Sequence, residues 1–166
     1  MLYGIGKMEY CVVFVLMAWR LRYKGIAKEV FRLSGEGVKR LKTILIVEDD
    51  LEMKTLLTEI VTLSGDFVAH GVAHGKDAIE AVTRISPDIA LIDIMLPDMD
   101  GWQVARKIRA TCPSLPVVFC SGSCEAEEYY RNSQLTESDF VTKPFNPDIL
   151  LQVINRRFSG AGKHNS

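Results

Sequence analysis

The chain has 166 residues, of which 48% are apolar and 25% charged, with no repeat or low-complexity tract. That length suits one compact domain plus an appendage and is short for two full domains; the composition is that of a soluble globular protein. The net charge of −1 hides a division: residues 1–42 hold nine Lys or Arg against three acids, while residues 43–166 hold eleven against eighteen. Stretches at +6 and −7 do different jobs. The four cysteines, Cys11, Cys112, Cys120 and Cys124, form no CxxC pair and meet no histidine at a zinc-finger spacing. They read as buried or free thiols in a reducing compartment.

Residues 10–19 (YCVVFVLMAW) are an apolar and aromatic run followed by Arg20, Arg22 and Lys24. Spanning a bilayer takes about twenty apolar residues, so the run is too short for a transmembrane helix. No A-x-A-like cleavage site precedes the basic cluster, which argues against a secretory signal. Three readings stay open for residues 1–41, a basic, partly apolar extension that is helical or disordered. They are a membrane-proximal helix giving membrane contact through residues 10–24, a helix packed on a partner, and an extension from a misassigned start.

From Thr43 the pattern becomes regular. Residues 44–47 are a continuous apolar run, as in a strand buried on both faces. A helical stripe of Met53, Leu56, Leu57, Ile60 and Val61 follows and stops at Ser64 and Gly65, a suitable C-cap. Residues 67–69 read as a weaker strand. Ala78, Ile79, Val82 and Ile85 form a second helical stripe ending before Pro87. Residues 89–94 are another buried strand, interrupted by Asp93. Val104, Ala105 and Ile108 mark a third helix, with Pro113 after it. Residues 117–120 are a strand and residues 125–135 a weak, polar helix. Phe140 and Val141 make a short strand before Lys143 and Pro144. The final helix carries Ile149, Leu150, Val153, Ile154 and Phe158. Five β–α units in succession predict an α/β domain over residues 42–159, with a parallel sheet and helices on both faces, and a disordered tail at 160–166.

In open sheets of this kind, ligands sit beyond the carboxyl ends of the strands. Strand one ends in Glu48, Asp49 and Asp50, strand three at Asp93, strand four at Ser121–Gly122, and strand five leads to Lys143. Singly, each has a plain explanation. Asp49 or Asp50 suits a helix cap, Ser121 a turn, and Lys143 a solvated surface. Asp93 is harder to dismiss, because a charge inside an apolar run costs stability unless it is paired or bound to metal. Their shared placement at one edge is what points to chemistry. Carboxylates about 4 Å apart repel by roughly 1–4 kcal/mol per pair at effective dielectrics of 80 to 20, and a hard divalent cation relieves this. An all-oxygen site favours Mg²⁺ over zinc. With the cation bound, Asp93 can attack phosphorus as a carboxylate nucleophile. Lys143 can share the charge on the transferred group, and the Ser121 hydroxyl can hydrogen-bond it.

The segments ILIVEDD (44–50), Asp93-x-x-x-Pro97-x-x-Asp100-Gly101, Ser121-Gly122 and Lys143-Pro144-Phe145 together resemble the receiver domain of two-component response regulators. The likeness runs over residues 42–158, in the family's order and at its approximate spacings. It implies a doubly wound, flavodoxin-like sheet of order 2-1-3-4-5 and makes Asp93 the phosphoacceptor. Glu48 and Asp49 become the acidic pocket, with Asp49, Asp93 and the Met95 backbone carbonyl as Mg²⁺ ligands. Ser121 and Lys143 take the family's hydroxyl and lysine roles, and Lys143–Pro144 is expected to be cis. Phe140 matches the aromatic switch position, which turns inward when the hydroxyl residue moves towards the phosphoryl group. Without a phenol, such a switch rests on packing. Met95 and Ser123 stand where the family tunes phosphoryl lifetime, and an apolar Met95 cannot orient a hydrolytic water.

By the same resemblance, the donor is a histidine kinase or histidine phosphotransfer protein, which the first helix would face around Met53 and Leu57. No helix-turn-helix fits in residues 159–166, so direct DNA binding is not expected. Output is expected through a downstream protein contacting the fourth helix, fifth strand and last helix, in the cytoplasm. The competing class is a phosphorylation-independent interaction module, tethered to a membrane by the N-terminus. A haloacid-dehalogenase-like phosphatase fits poorly, because its DxDx[TV] motif is missing after the strand bearing Asp93.

Overall fold

The computed structural model describes residues 40–122 and 140–160. In chain order these are β1 (Lys42–Val47), α1 (Leu51–Leu63), β2 (Phe67–Val72), α2 (Gly75–Ile85), β3 (Ile89–Asp93), α3 (Gly101–Thr111), β4 (Val117–Ser121), β5 (Phe140–Thr142) and α4 (Pro147–Gly160). All strand pairings are parallel, and the order across the sheet is β2-β1-β3-β4-β5. This is the doubly wound arrangement expected from the sequence. The first 39 residues, the polar segment 125–135 and the tail 161–166 lie outside the described residues. So do the readings made for them, including membrane contact through residues 10–24. No helix among the described residues is long and apolar enough to cross a membrane.

The three inner strands β1, β3 and β4 are buried along nearly their whole length because helices cover both faces. Alternate side chains divide the core between the faces. Leu45, Val47, Ala90, Ile92, Val117 and Phe119 meet Ala78, Ala81 and Val82 of α2 and Val104, Ala105 and Ile108 of α3. The opposite set, Ile44, Ile46, Leu91 and Val118, is equally buried, as are Leu57, Ile60 and Val61 of α1 and Leu150 and Ile154 of α4. Among the described residues both cysteines are free thiols: Cys112 is half-buried and Cys120 buried, its thiol pushed up to about 12 by burial.

The elements differ from the sequence reading in their extents. Strand β2 reaches Val72 rather than Ala69, because all six of its residues pair with β1 even where Gly71 breaks the apolar pattern. A full partner strand outweighs local propensity. Helix α1 ends as anticipated, with Gly65 in the left-handed region at φ 79°. Leu57 was expected near the donor-facing surface, but it is 1% exposed and belongs to the core. The open side of the helix carries Leu51, Glu52, Thr55 and Glu59, with Met53 half-buried.

Candidate functional site

The carboxyl ends of β1, β3, β4 and β5 bring the predicted residues to one rim. Parallel pairing sets Val47 opposite Ile92, so the next residues on the two strands, Glu48 and Asp93, emerge side by side. Pairing of β3 with β4 sets Asp93 opposite Cys120 and leaves Ser121 one residue further along the rim. Ser121 in turn lies opposite Thr142, and its carbonyl accepts a 2.8 Å hydrogen bond from the Lys143 amide. The Lys143–Pro144 bond is cis, as the resemblance implied.

At the centre is an ammonium shared by two buried acids. Lys143 Nζ lies 2.7 Å from Asp93 Oδ2 and 2.5 Å from Glu48 Oε2. Glu48 is 1% exposed and Asp93 8%, and Ser121 is buried with them. Burial raises the Glu48 carboxyl to about 7; Lys143 opposes the rise and the neighbouring Asp93 adds to it. Burial also pulls the Lys143 pKa down, but hydrogen bonds to Asp93 and Glu48 outweigh it and hold the amine above its ordinary value. Lys143 therefore stays charged at neutral pH.

Carboxylate oxygens of Glu48, Asp49 and Asp93 all lie within 4.8 Å of one another. Asp49 is the exposed member, so the cluster opens to solvent on its side. Three acids against one lysine leave excess negative charge when all are ionised, and the donors are all oxygen. This set suits a hard divalent cation such as Mg²⁺ and fits zinc poorly. The backbone N–H of Met95 donates to Asp93 Oδ1 at 3.1 Å, while the Met95 side chain points outward, 68% exposed. Phe140 is buried, packed into the core at the start of β5.

The other acids at this rim have different duties. Asp50 Oδ1 accepts from the Met53 amide at 2.7 Å and so caps α1, which settles which of Asp49 and Asp50 is the cap. Asp100 caps α3 through the Gln103 amide at 2.7 Å. A Cβ at Gly101 would strike the Asp93 carbonyl oxygen and come within 2.9 Å of Ile94 Cα, so only glycine fits there. Two residues escaped the sequence reading. Lys54 donates to the Glu48 carbonyl at 3.0 Å from the first turn of α1. Asp98 accepts from the amides of Gly75 and Lys76, 2.9 and 3.0 Å away, at the start of α2. Neither had a signal in the sequence. Lys54 looks like any helix lysine, and the partners of Asp98 lie more than twenty positions upstream.

Comparison with known proteins agrees with this geometry. Residues 44–155 match the family model described as the response regulator receiver domain. Over 115 residues the chain is 30% identical to the chemotaxis protein CheY of Thermotoga maritima, covering 69% of this chain and 96% of that protein. It is 32% identical over 123 residues to a Bacillus subtilis transcriptional regulatory protein, YclJ, covering 72% of this chain and 53% of that one. Among solved structures, a CheY-like receiver domain protein from Methanospirillum hungatei superimposes with a TM-score of 0.66 at 26% identity, over 76% of this chain and all of that one. A shared fold, a family match across most of the chain and the motif residues gathered at one rim lead to a single assignment: the chain belongs to the receiver domain family of two-component response regulators.

Proposed function

We propose that this receiver domain takes a phosphoryl group onto Asp93 from a histidine kinase or histidine phosphotransfer protein, and thereby changes its contacts with a downstream protein. The observation that carries this reading is the Lys143 amine bridging Asp93 and Glu48, beside an Asp49 open to solvent. Glu48, Asp49 and Asp93, with the Met95 carbonyl, are the groups that would hold Mg²⁺, which supplies positive charge against the carboxylates and the phosphoryl oxygens. An Asp93 carboxylate oxygen attacks phosphorus. The P–O bond forms as the P–N bond to the donor imidazole breaks, and the imidazole leaves with the bonding pair. Lys143, held charged beside the acceptor, pairs with the arriving phosphoryl oxygens in place of the carboxylate charge lost on esterification. The Ser121 hydroxyl hydrogen-bonds the phosphoryl group, and repacking of Phe140 carries the change to the β5 side of the domain.

Intact-mass measurement after incubation with Mg²⁺ and a small acyl phosphate tests the reading. Wild type should gain one phosphoryl group and Asp93→Asn none. No gain in wild type would reject it in favour of an interaction module that works without phosphorylation. Because the outward-facing, apolar Met95 cannot orient a hydrolytic water, the phosphoryl group should persist for minutes or longer. A half-life of seconds would contradict that role for Met95.

A further inference from the structure

We infer that Asp98 is a positioning residue for the cation site, tying the loop that presents the Met95 carbonyl to the start of α2. The inference rests on the metal-dependent reading above. A carbonyl ligand has no side chain to steer it, so its direction is set by the backbone on either side. The loop from residue 94 to residue 100 is held at both ends: Met95 N–H bonds to Asp93 Oδ1 at 3.1 Å, Gly101 N–H to the Ile94 carbonyl at 2.9 Å, and Asp100 caps α3. Pro97 restricts the middle without anchoring it. Asp98 supplies the anchor. Its two oxygens take the first two amides of α2, Gly75 and Lys76, at 2.9 and 3.0 Å.

Packing supports the same tie. A Cβ at Gly75 would come within 2.7 Å of Met99 Cγ, so the first residue of α2 already touches the loop next to Asp98. The Gly75 and Lys76 amides hold the Asp98 carboxyl below its usual range, and it stays ionised at neutral pH. Asp98 is exposed, and truncating it leaves no hole in the core. Its loss should therefore loosen the loop without unfolding the domain. Outer partners that orient metal ligands typically change metal affinity by about 10- to 100-fold when removed. An exposed latch belongs at the low end of that range.

The experiment is calorimetric titration of Mg²⁺ into the full chain. Wild type binds; Asp98→Ala should bind about ten-fold more weakly. Asp98→Asn, which keeps one acceptor oxygen, should fall between them. Amide hydrogen exchange at Gly75 and Lys76 should quicken in Asp98→Ala. A control at the far end of the sheet, Asp88→Ala, should lower the unfolding temperature while leaving Mg²⁺ affinity unchanged. Equal affinity in wild type and Asp98→Ala overturns the inference, and so does an equal weakening by Asp88→Ala, which would mark a general loss of stability. Absence of Mg²⁺ binding in wild type is a different result: it removes the metal-dependent reading, and the inference with it.

Discussion

The two ends of the sheet differ in what their acids meet. At the amino end, Asp88 is held by a backbone pincer: Thr43 N–H donates to its Oδ2 at 2.7 Å, and its own amide donates to the Thr43 carbonyl at 2.8 Å. Nearby Ser86 adopts a left-handed conformation at φ 46° to end α2. These groups tie chain to chain, and among the described residues no group of three acids gathers there. At the carboxyl end, Asp50, Asp98 and Asp100 are likewise held by helix amides. Glu48, Asp49 and Asp93 instead face one another, with Lys143 as the cation shared by Glu48 and Asp93. An acid paired with an amide holds the fold together, whereas acids that meet other acids need a cation and have chemistry open to them.

Replacing Lys143 should break the comparison most sharply. Lys143→Met removes the charge proposed to face the phosphoryl group, and the rate of acyl-phosphate labelling should fall by about 100-fold, as when one preorganised donor is removed from an active site. Labelling at the wild-type rate would show that the lysine is structural, like the amino-end acids. Asp88→Ala should do the reverse. It leaves the partly buried Thr43 N–H unpaired, costing about 1–3 kcal/mol in urea unfolding, with the labelling rate of the folded protein unchanged. A comparable loss of labelling would erase the distinction between the ends.

The smallest effect expected is one of pH. Burial raises Glu48 from 4.5 to about 7. The folded chain thus binds this proton more tightly than the unfolded chain, and the stabilisation is present below about pH 4.5 and lost as pH rises through about 7. Without divalent cations, the unfolding temperature should drop more between pH 5.5 and 8 in wild type than in Glu48→Gln. Parallel profiles would show that Glu48 is not the group responsible.

Most of the architecture was legible from residue pattern because buried parallel strands and amphipathic helices each impose a period. Residues 44–47 announce a strand buried on both faces and residues 117–120 a strand, and Val104, Ala105 and Ile108 announce the helix they form. The pattern after Phe67 marks only a short strand, since Gly71 carries no apolar signal and only the neighbouring β1 makes it strand. Leu57 is buried with Ile60 and Val61, as the apolar stripe predicts; only the family resemblance points it at the donor, and the sheet covers that part of the helix.

The site divides the same way. The residue types at the strand ends, and hence Asp93, Glu48, Asp49, Ser121 and Lys143 as candidate members, were determined by the sequence alone, because a parallel β–α repeat delivers every strand terminus to one edge. Which acids would cap helices and which would confront each other was decided by the tertiary structure. So were the bridging position of the Lys143 amine and the grip of Asp98 on α2. These depend on contacts between residues as many as 95 positions apart, and no local pattern encodes the register that joins them.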